Sequence, residues 1–165
     1  MLGIDPGTRV VGYGAVVARA RGPRLYGAGV LKPRAGLDVP ARLGAILAEF
    51  EALLQEVRPD VVVVEQAFAS RNLQSALRIG EGRGVILAAA ARFGAEIVQF
   101  PPAVAKKALV GNGGADKSQV AAMVATTLGL AEAPKPLDAT DALALALAHV
   151  LRSKPAARLL AARAR

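Results

Sequence analysis

Four carboxylates occur where the surrounding pattern predicts an apolar or neutral residue. Asp5 and Glu65 each end an apolar run, and Asp138 and Asp141 open a segment of helical pattern. Four converging carboxylates repel one another and raise each other's pKa unless cations neutralise them. Oxygen ligands, in a chain with no cysteine and one histidine, favour Mg²⁺ or Mn²⁺ over Zn²⁺. Two such ions about 4 Å apart can activate a water for phosphodiester hydrolysis.

The first two acids depend on strands for their position. Turn sequences and β-branched runs predict strands over residues 1–5, 12–19, 24–32, 60–65 and 95–100. The run Val61 to Val64 is typical of a strand covered on both faces, as in the centre of an α/β sheet. If strands one and four are neighbours, Asp5 and Glu65 meet at the sheet edge where α/β folds keep their sites.

The other two acids depend on a helix. Helical spacing of apolar residues predicts helices over residues 39–57, 72–92, 103–109, 117–129 and 138–152. Asp138 and Asp141, three residues apart, project from nearly the same side of the last of these. The predicted fold class is therefore α/β, a mixed five-stranded sheet flanked by helices. We expect one domain over residues 1–152, followed by a basic C-terminal tail, 153–165.

Each acid also has a purely local interpretation. Asp5 before Pro6-Gly7 can form an Asx-turn, and Glu65 can be the polar end of a buried strand. Asp138 can be a helix N-cap, with Asp141 reaching back as in a capping box. Jointly, the four positions favour a site.

The charge balance points to a polyanionic partner. Lys and Arg number 21 against 13 Asp and Glu, a net charge of +8, which favours nucleic acid ahead of a membrane or an acidic protein. A generally arginine-rich composition is the alternative explanation. The absence of cysteine excludes disulfides and thiolate metal sites and fits a reducing compartment. Since the chain opens without a signal-peptide pattern, we expect a soluble, cytosolic protein.

A glycine-rich segment, GNGGADKS at 111–118, comes close to a phosphate-binding P-loop. Asp116 takes the place of the glycine before the lysine and would repel phosphates, so a nucleotide loop is disfavoured. The better interpretation is a basic loop in which Lys106, Lys107 and Lys117 contact DNA phosphates, with a solvated charged surface as the alternative. His149 lies about 16 Å along the helix from Asp138, so it cannot share a metal with it, and we expect a surface or core-edge role.

An aromatic residue follows the second acid. Phe68, in EQAFASRNLQS, can stack on an unpaired base beside the acids, although a lone phenylalanine is more often part of the core.

Five segments together resemble the RuvC Holliday junction resolvases of the RNase H-like superfamily. They are GIDPGTRVVGYG, VVVVEQAF, NLQSALRIGEGRGV, KALVGNGGADKSQV and DATDALALALAH, in order and at the expected spacing over nearly all of residues 1–150. The resemblance implies an RNase H-like fold, a homodimer, and symmetric nicking of two like-polarity strands of a four-way DNA junction with divalent metal. It also implies a RuvA–RuvB branch-migration complex as partner.

The resemblance assigns roles by position. Asp5, Glu65, Asp138 and Asp141 match the family's catalytic carboxylates, although some members have His at the Asp138 position. The predicted DNA-contacting residues are Phe68, Arg71, Asn72, Lys106, Lys107 and Lys117, of which Lys107 rests on its position in the basic loop alone. The expected cofactor is Mg²⁺, two ions per subunit, with Mn²⁺ able to substitute.

Two other functions remain open from the sequence. The pattern Asp-x-Gly-Thr at 5–8 also opens the phosphate loop of actin-like ATPases, but these need two duplicated domains and 165 residues supply one. A junction-binding module that does not cut, or a relative acting on RNA, is the other. The complete set of four acids argues against it.

Overall fold

The computed structural model describes residues 1–7, 9–66 and 73–153 of the chain. The strands are β1 (Leu2–Pro6), β2 (Val11–Arg19), β3 (Gly22–Leu31), β4 (Val61–Glu65) and β5 (Glu96–Phe100). The helices are α1 (Val39–Val57), α2 (Leu73–Phe93), α3 (Pro102–Val110), α4 (Lys117–Leu128) and α5 (Leu137–Arg152). None of the described helices has the length and apolar character needed to cross a membrane.

The strands form one mixed sheet in the order β3-β2-β1-β4-β5. The meander β1-β2-β3 is antiparallel, whereas β1, β4 and β5 run parallel to one another. Strands one and four are thus neighbours, as the position of the acids required. The carboxyl ends of β1, β4 and β5 lie at one edge, together with the start of β2 and the end of β3.

The inner strand β4 is buried because both faces of the sheet are covered. Val62, Val63 and Val64 have no exposed surface. Val62 and Val64 join the core under α1 and α2, whereas Val63 joins the core under α3 and α5. This division explains the continuous β-branched run, since alternate side chains must enter two different apolar cores.

Helix α5 is the central helix of the second face, and small residues let it approach the sheet closely. Its alternating alanines and leucines are buried, and it packs on β1 and β2. A Cβ added at Gly3 would lie 2.0 Å from the carbonyl oxygen of Ala142, and one added at Gly12 would lie 2.1 Å from that of Asp138. Glycine at these two positions is therefore what allows the helix to lie on the sheet.

The start of α5 corrects one interpretation of the sequence. The N-cap is Pro136, so Asp138 is the second residue of the helix and does not cap it with Asp141. A capping box is instead present at α4, where the Asp116 side chain accepts from the Gln119 backbone and the Gln119 side chain accepts from the Asp116 backbone. This arrangement gives Asp116 a structural role in the glycine-rich segment.

Candidate active site

The first pair of acids lies on adjacent parallel strands. Ile4 of β1 is paired with Val64 of β4, so the next residues, Asp5 and Glu65, emerge side by side at the carboxyl edge of the sheet. Both residues are partly buried. On the other side of β1, Asp5 is paired with Gly12 of β2.

The second pair of acids reaches the same edge from α5. The backbone of Asp138 lies directly over Gly12, which is the partner of Asp5 in the sheet. Asp141 lines a small cleft, about 40 Å³ in volume, together with Glu65 and Lys106. Residues separated by more than 130 positions in the chain thereby meet where β1, β4 and the first turn of α5 converge.

The electrostatics of Asp5 show that the four carboxylates interact. Burial, which is the largest cause, and the charges of Glu65, Asp141 and Asp138 together raise the pKa of Asp5 to about 7, against the opposing effect of Lys117. An Asx-turn that satisfied the carboxylate with backbone amides would lower this pKa. A carboxyl group with a raised pKa among three other acids is instead typical of a site that a cation completes.

Glu65 shares this environment. Burial is the main cause that raises its pKa, and the charge of Asp141 adds to it, whereas Lys117 and Lys106 lower it. Glu65 is therefore more than the polar end of a buried strand, because it interacts with Asp141, an acid of a helix that is distant in the chain.

Two lysines supply the positive charge that the acids face. The Nζ of Lys117 lies 2.8 Å from the carboxylate oxygen of Asp141, and this ion pair, with the charges of Asp5 and Asp138, raises the pKa of Lys117. The Nζ of Lys106 donates a hydrogen bond to the carbonyl oxygen of Ala115 at 2.7 Å. Lys106 belongs to α3 and Lys117 to α4, and the charges of both lower the pKa of Glu65.

The donor set fits hard divalent cations. All four side chains offer carboxylate oxygens, the ligands that Mg²⁺ and Mn²⁺ prefer. Within residues 1–7, 9–66 and 73–153, no three acidic, histidine or cysteine side chains are already gathered at ligand distance around one point. The Lys117 ammonium is paired with Asp141 and therefore lies in the region of negative potential that would attract a metal ion.

The other residues that the sequence predicted for a function either lie away from the four acids or fall outside the part of the chain that the structure describes. Lys107 is exposed on α3. His149 is half-buried, and its ring centroid lies 6.3 Å from that of Phe100, which confirms a core-edge position. Phe68, Arg71 and Asn72 lie outside the described residues.

A further residue, Arg83 of α2, was not predicted from the sequence. Its Nε donates to the backbone carbonyl oxygen of Glu65 at 3.2 Å, and its terminal nitrogen donates to the side-chain oxygen of Gln99. The backbone N–H of Gln66 also donates to Phe100, at 2.8 Å. Arg83 thus ties the ends of β4 and β5 together beneath the acid. It belongs to no spacing pattern, and only its place in the segment NLQSALRIGEGRGV could have drawn attention to it.

This fold and this acidic edge define an RNase H-like nuclease. The family model described as Crossover junction endodeoxyribonuclease RuvC matches residues 1–149. The chain belongs to the RuvC family, a family of metal-dependent nucleases. This finding confirms the predicted family, fold class and enzyme class, and it decides against an actin-like ATPase.

Individual relatives agree. The crossover junction endodeoxyribonuclease RuvC of Syntrophomonas wolfei is 43% identical over 150 residues, which cover 91% of this chain and 87% of the relative. The solved structure of Thermus thermophilus RuvC has a TM-score of 0.83 at 37% identity, covering 92% of this chain and 94% of the other. T. thermophilus RuvC in complex with Holliday junction substrate matches with a TM-score of 0.81 at 36% identity, covering 92% and 93%.

Proposed function

We propose that this protein resolves Holliday junctions in homologous recombination and DNA repair by nicking two strands of like polarity symmetrically. The observation that carries this proposal is the meeting of Asp5, Glu65, Asp138 and Asp141 at one sheet edge, in a member of the RuvC family. The solved complex of T. thermophilus RuvC with Holliday junction substrate, which has the same fold, supports the choice of substrate.

The four carboxylates are the proposed ligands of two divalent cations per subunit, Mg²⁺ or, in substitution, Mn²⁺. When bound, the ions supply an activated water and charge stabilisation at the leaving oxygen. Asp5 is central because it interacts with all three other acids and is itself the most strongly perturbed of them. Attack of water on phosphorus with cleavage of the P–O3′ bond leaves 5′-phosphate and 3′-hydroxyl ends.

The two lysines of the site have a charge-balancing role in this proposal. Lys117 is paired with Asp141, and its side chain is 66% exposed, so its ammonium can turn to a phosphate that approaches from solvent. Lys106 lies beside Glu65 in the shared cleft. Both place positive charge where the phosphodiester acquires negative charge in the transition state.

The remaining DNA contacts follow from the family resemblance and the basic surface. Phe68, Arg71 and Asn72 are proposed to contact the junction near its crossover, and Lys107 is proposed to contact a DNA phosphate. Lys106 and Lys117 lie closer to the cleaved phosphate in this proposal. The net charge of +8 supplies the attraction to the backbone that these contacts require.

The proposed assembly is a homodimer of nuclease domains over residues 1–152, each followed by the basic tail, 153–165. A twofold substrate is best matched by a twofold protein, which places one acid cluster on each of two strands. A RuvA–RuvB complex is the proposed partner, and the cytoplasm the proposed location.

The test is nicking of a synthetic four-way junction with Mg²⁺, mapped at nucleotide resolution. We expect paired, symmetric nicks from the natural protein and at least a 100-fold loss with Asp5→Asn or Glu65→Gln. Asp60→Asn is the matched control, because Asp60 is an exposed acid at the opposite end of β4 and its variant should cut normally. Full cutting by both site variants would contradict the assignment.

A further inference from the structure

A second group of charged side chains lines a cleft beside the acid cluster, and all of its charges are positive. The cleft, about 430 Å³ in volume, is lined by Arg9, Lys32, Arg34 and Arg42 and by the backbone that connects β3 to α1. The nearest acid in sequence, Asp38, uses its carboxylate to accept from the backbone N–H of Ala41 at the start of α1.

One side chain of this cleft, that of Arg42, contains a buried hydrogen-bond donor that lacks an acceptor in the described part of the chain. The Nε of Arg42 is buried, yet it has no hydrogen-bond partner among the residues that the structure describes. A buried donor without an acceptor is costly, and buried polar groups in native proteins are almost always satisfied. A guanidinium is also the side chain best suited to bind a phosphate, since it donates two parallel hydrogen bonds. The cleft is therefore suited to an anion that accepts from Arg42.

The position of the cleft identifies the source of that anion. Arg9 lies in the turn between Pro6 and the start of β2, and Lys32 directly follows the end of β3. Both are at the sheet edge that carries Asp5, because Val11 pairs with Pro6 on one side and with Leu31 on the other. At a strand spacing of about 4.8 Å, the end of β3 is about 10 Å from that of β1. The cleft is therefore close enough to Asp5 for one DNA backbone to reach both.

We infer that this cationic cleft binds a backbone phosphate of the DNA close to the cleaved bond, with the guanidinium of Arg42 as its anchor. The inference rests on the proposed function for the location of the cleaved bond. The chemistry that the cleft recognises is a phosphate group, which a small free anion could also provide. The test must therefore separate DNA from free phosphate.

The first measurement is the salt dependence of junction binding, made with EDTA so that cleavage does not enter. Removing one phosphate contact should lower the slope of log K against log salt by about 1. We expect this change, with at least a tenfold weaker affinity at low salt, for Arg42→Gln and for the exposed pair Lys32→Gln/Arg34→Gln. The matched control is Arg21→Gln/Arg24→Gln, which removes two exposed charges at the β2–β3 turn on the opposite edge. Equal slopes for the Lys32/Arg34 variant and this control would overturn the inference.

The second measurement follows the Arg42 Nε–Hε signal by NMR in the natural protein. We expect a short duplex to shift this signal, and Arg42→Gln identifies it by its loss. A signal shifted by inorganic phosphate but not by DNA would reassign the cleft to a small anion and overturn the inference, as would no shift with DNA. A shift with DNA in a protein that leaves four-way junctions uncut would sustain the cleft and refute the proposed function instead.

Discussion

Gly12 and Asp138 approach so closely that a Cβ at position 12 would lie 2.1 Å from the carbonyl oxygen of Asp138. Gly12 is also the residue opposite Asp5 in the β1–β2 ladder. The missing side chain at position 12 thus sets the distance between an acid on the sheet and an acid on α5.

Replacing Gly12 by alanine should separate these acids. The added methyl group meets backbone atoms of α5, which cannot rotate away, so the first turn of the helix must move. We expect a loss of about 1–3 kcal/mol in the free energy of unfolding and at least a tenfold loss of junction cleavage. Urea denaturation and cleavage assays measure the two effects.

The control for this change is Gly27→Ala. Gly27 also lies in a strand, β3, but a Cβ there has no neighbour within 4 Å. Its variant should retain both stability and cleavage. If Gly12→Ala cuts as fast as Gly27→Ala, the close approach does not position the acids.

The raised pKa of Asp5 predicts a pH-dependent stability of the metal-free protein. Burial first, and then the neighbouring carboxylates, raise this pKa from 3.8 to about 7. Between these values the folded state binds more protons than the unfolded state, so the free energy of unfolding falls as the pH rises. The fall amounts to at most about 4 kcal/mol, at ~1.36 kcal/mol per pK unit.

Asp5→Asn should abolish this contribution. With EDTA present, we expect the variant to be more stable than the natural protein at pH 8 and no more stable at pH 4. Urea denaturation at both pH values measures the difference, and comparing the two proteins cancels the titration of other groups. A stability difference that is the same at pH 4 and pH 8 would show that Asp5 titrates normally.

Lys117 should compete with a metal ion for the acids. Its ammonium lies 2.8 Å from the Asp141 carboxylate and interacts with the charges of Asp5 and Asp138. A unit charge at 4 Å contributes ~1 kcal/mol even in water, so Lys117→Gln should bind Mg²⁺ about fivefold more tightly in the absence of DNA. Calorimetric titration at low salt measures the affinity.

The same variant should cut DNA more slowly, because the proposed phosphate contact is lost. Lys135→Gln is the control, since the side chain of Lys135 is 86% exposed and pairs only loosely with Glu132, at 4.0 Å. Weaker Mg²⁺ binding by Lys117→Gln than by this control would indicate that Lys117 organises the acids rather than opposing a cation.

Arg83 should act as a positioning residue for Glu65. It donates to the backbone carbonyl oxygen of Glu65 and to the side chain of Gln99. Arg83→Met keeps much of the apolar stem but removes these bonds. We therefore expect the cleavage rate at saturating DNA to fall about tenfold or more, with junction affinity in EDTA almost unchanged.

A conservative variant and a distant one complete this test. Arg83→Lys should restore part of the rate, because its ammonium can still donate to one of the two acceptors. Arg92→Met, in the last turn of α2, removes an exposed pair with Glu51 at 3.6 Å and should cut normally. If Arg83 had a purely structural role, Arg83→Met would lower the free energy of unfolding, and it would not lower the cleavage rate selectively while leaving junction affinity unchanged.

Much of the fold follows from the sequence because each element has a strong local signal. The apolar periodicity of α1 and the prolines around it define a helix at 39–57, as observed. The β-branched run of β4 indicates a strand buried on both faces, and the carboxylates that end β1 and β4 are visible as acids in apolar surroundings.

The remaining features depend on tertiary contacts. The order of the strands has no periodic signature in the sequence. The same is true of the hydrogen bonds of Arg83 and of the buried Nε of Arg42, because each of these features depends on residues that are distant in the chain. Helix α5 begins at residue 137, one residue before the predicted start, and its N-cap is Pro136 instead of Asp138. Gly12 did have a signal, as glycine inside a strand often marks a close backbone approach.

The arrangement of α5 has a consequence for the newly made protein. The helix carries the last two acids, and it also supplies the layer that covers one face of β1, β2 and β4. We therefore expect a chain interrupted before residue 137 to lack two of the four acids and to leave this face of the sheet uncovered, so that it neither folds nor cuts DNA.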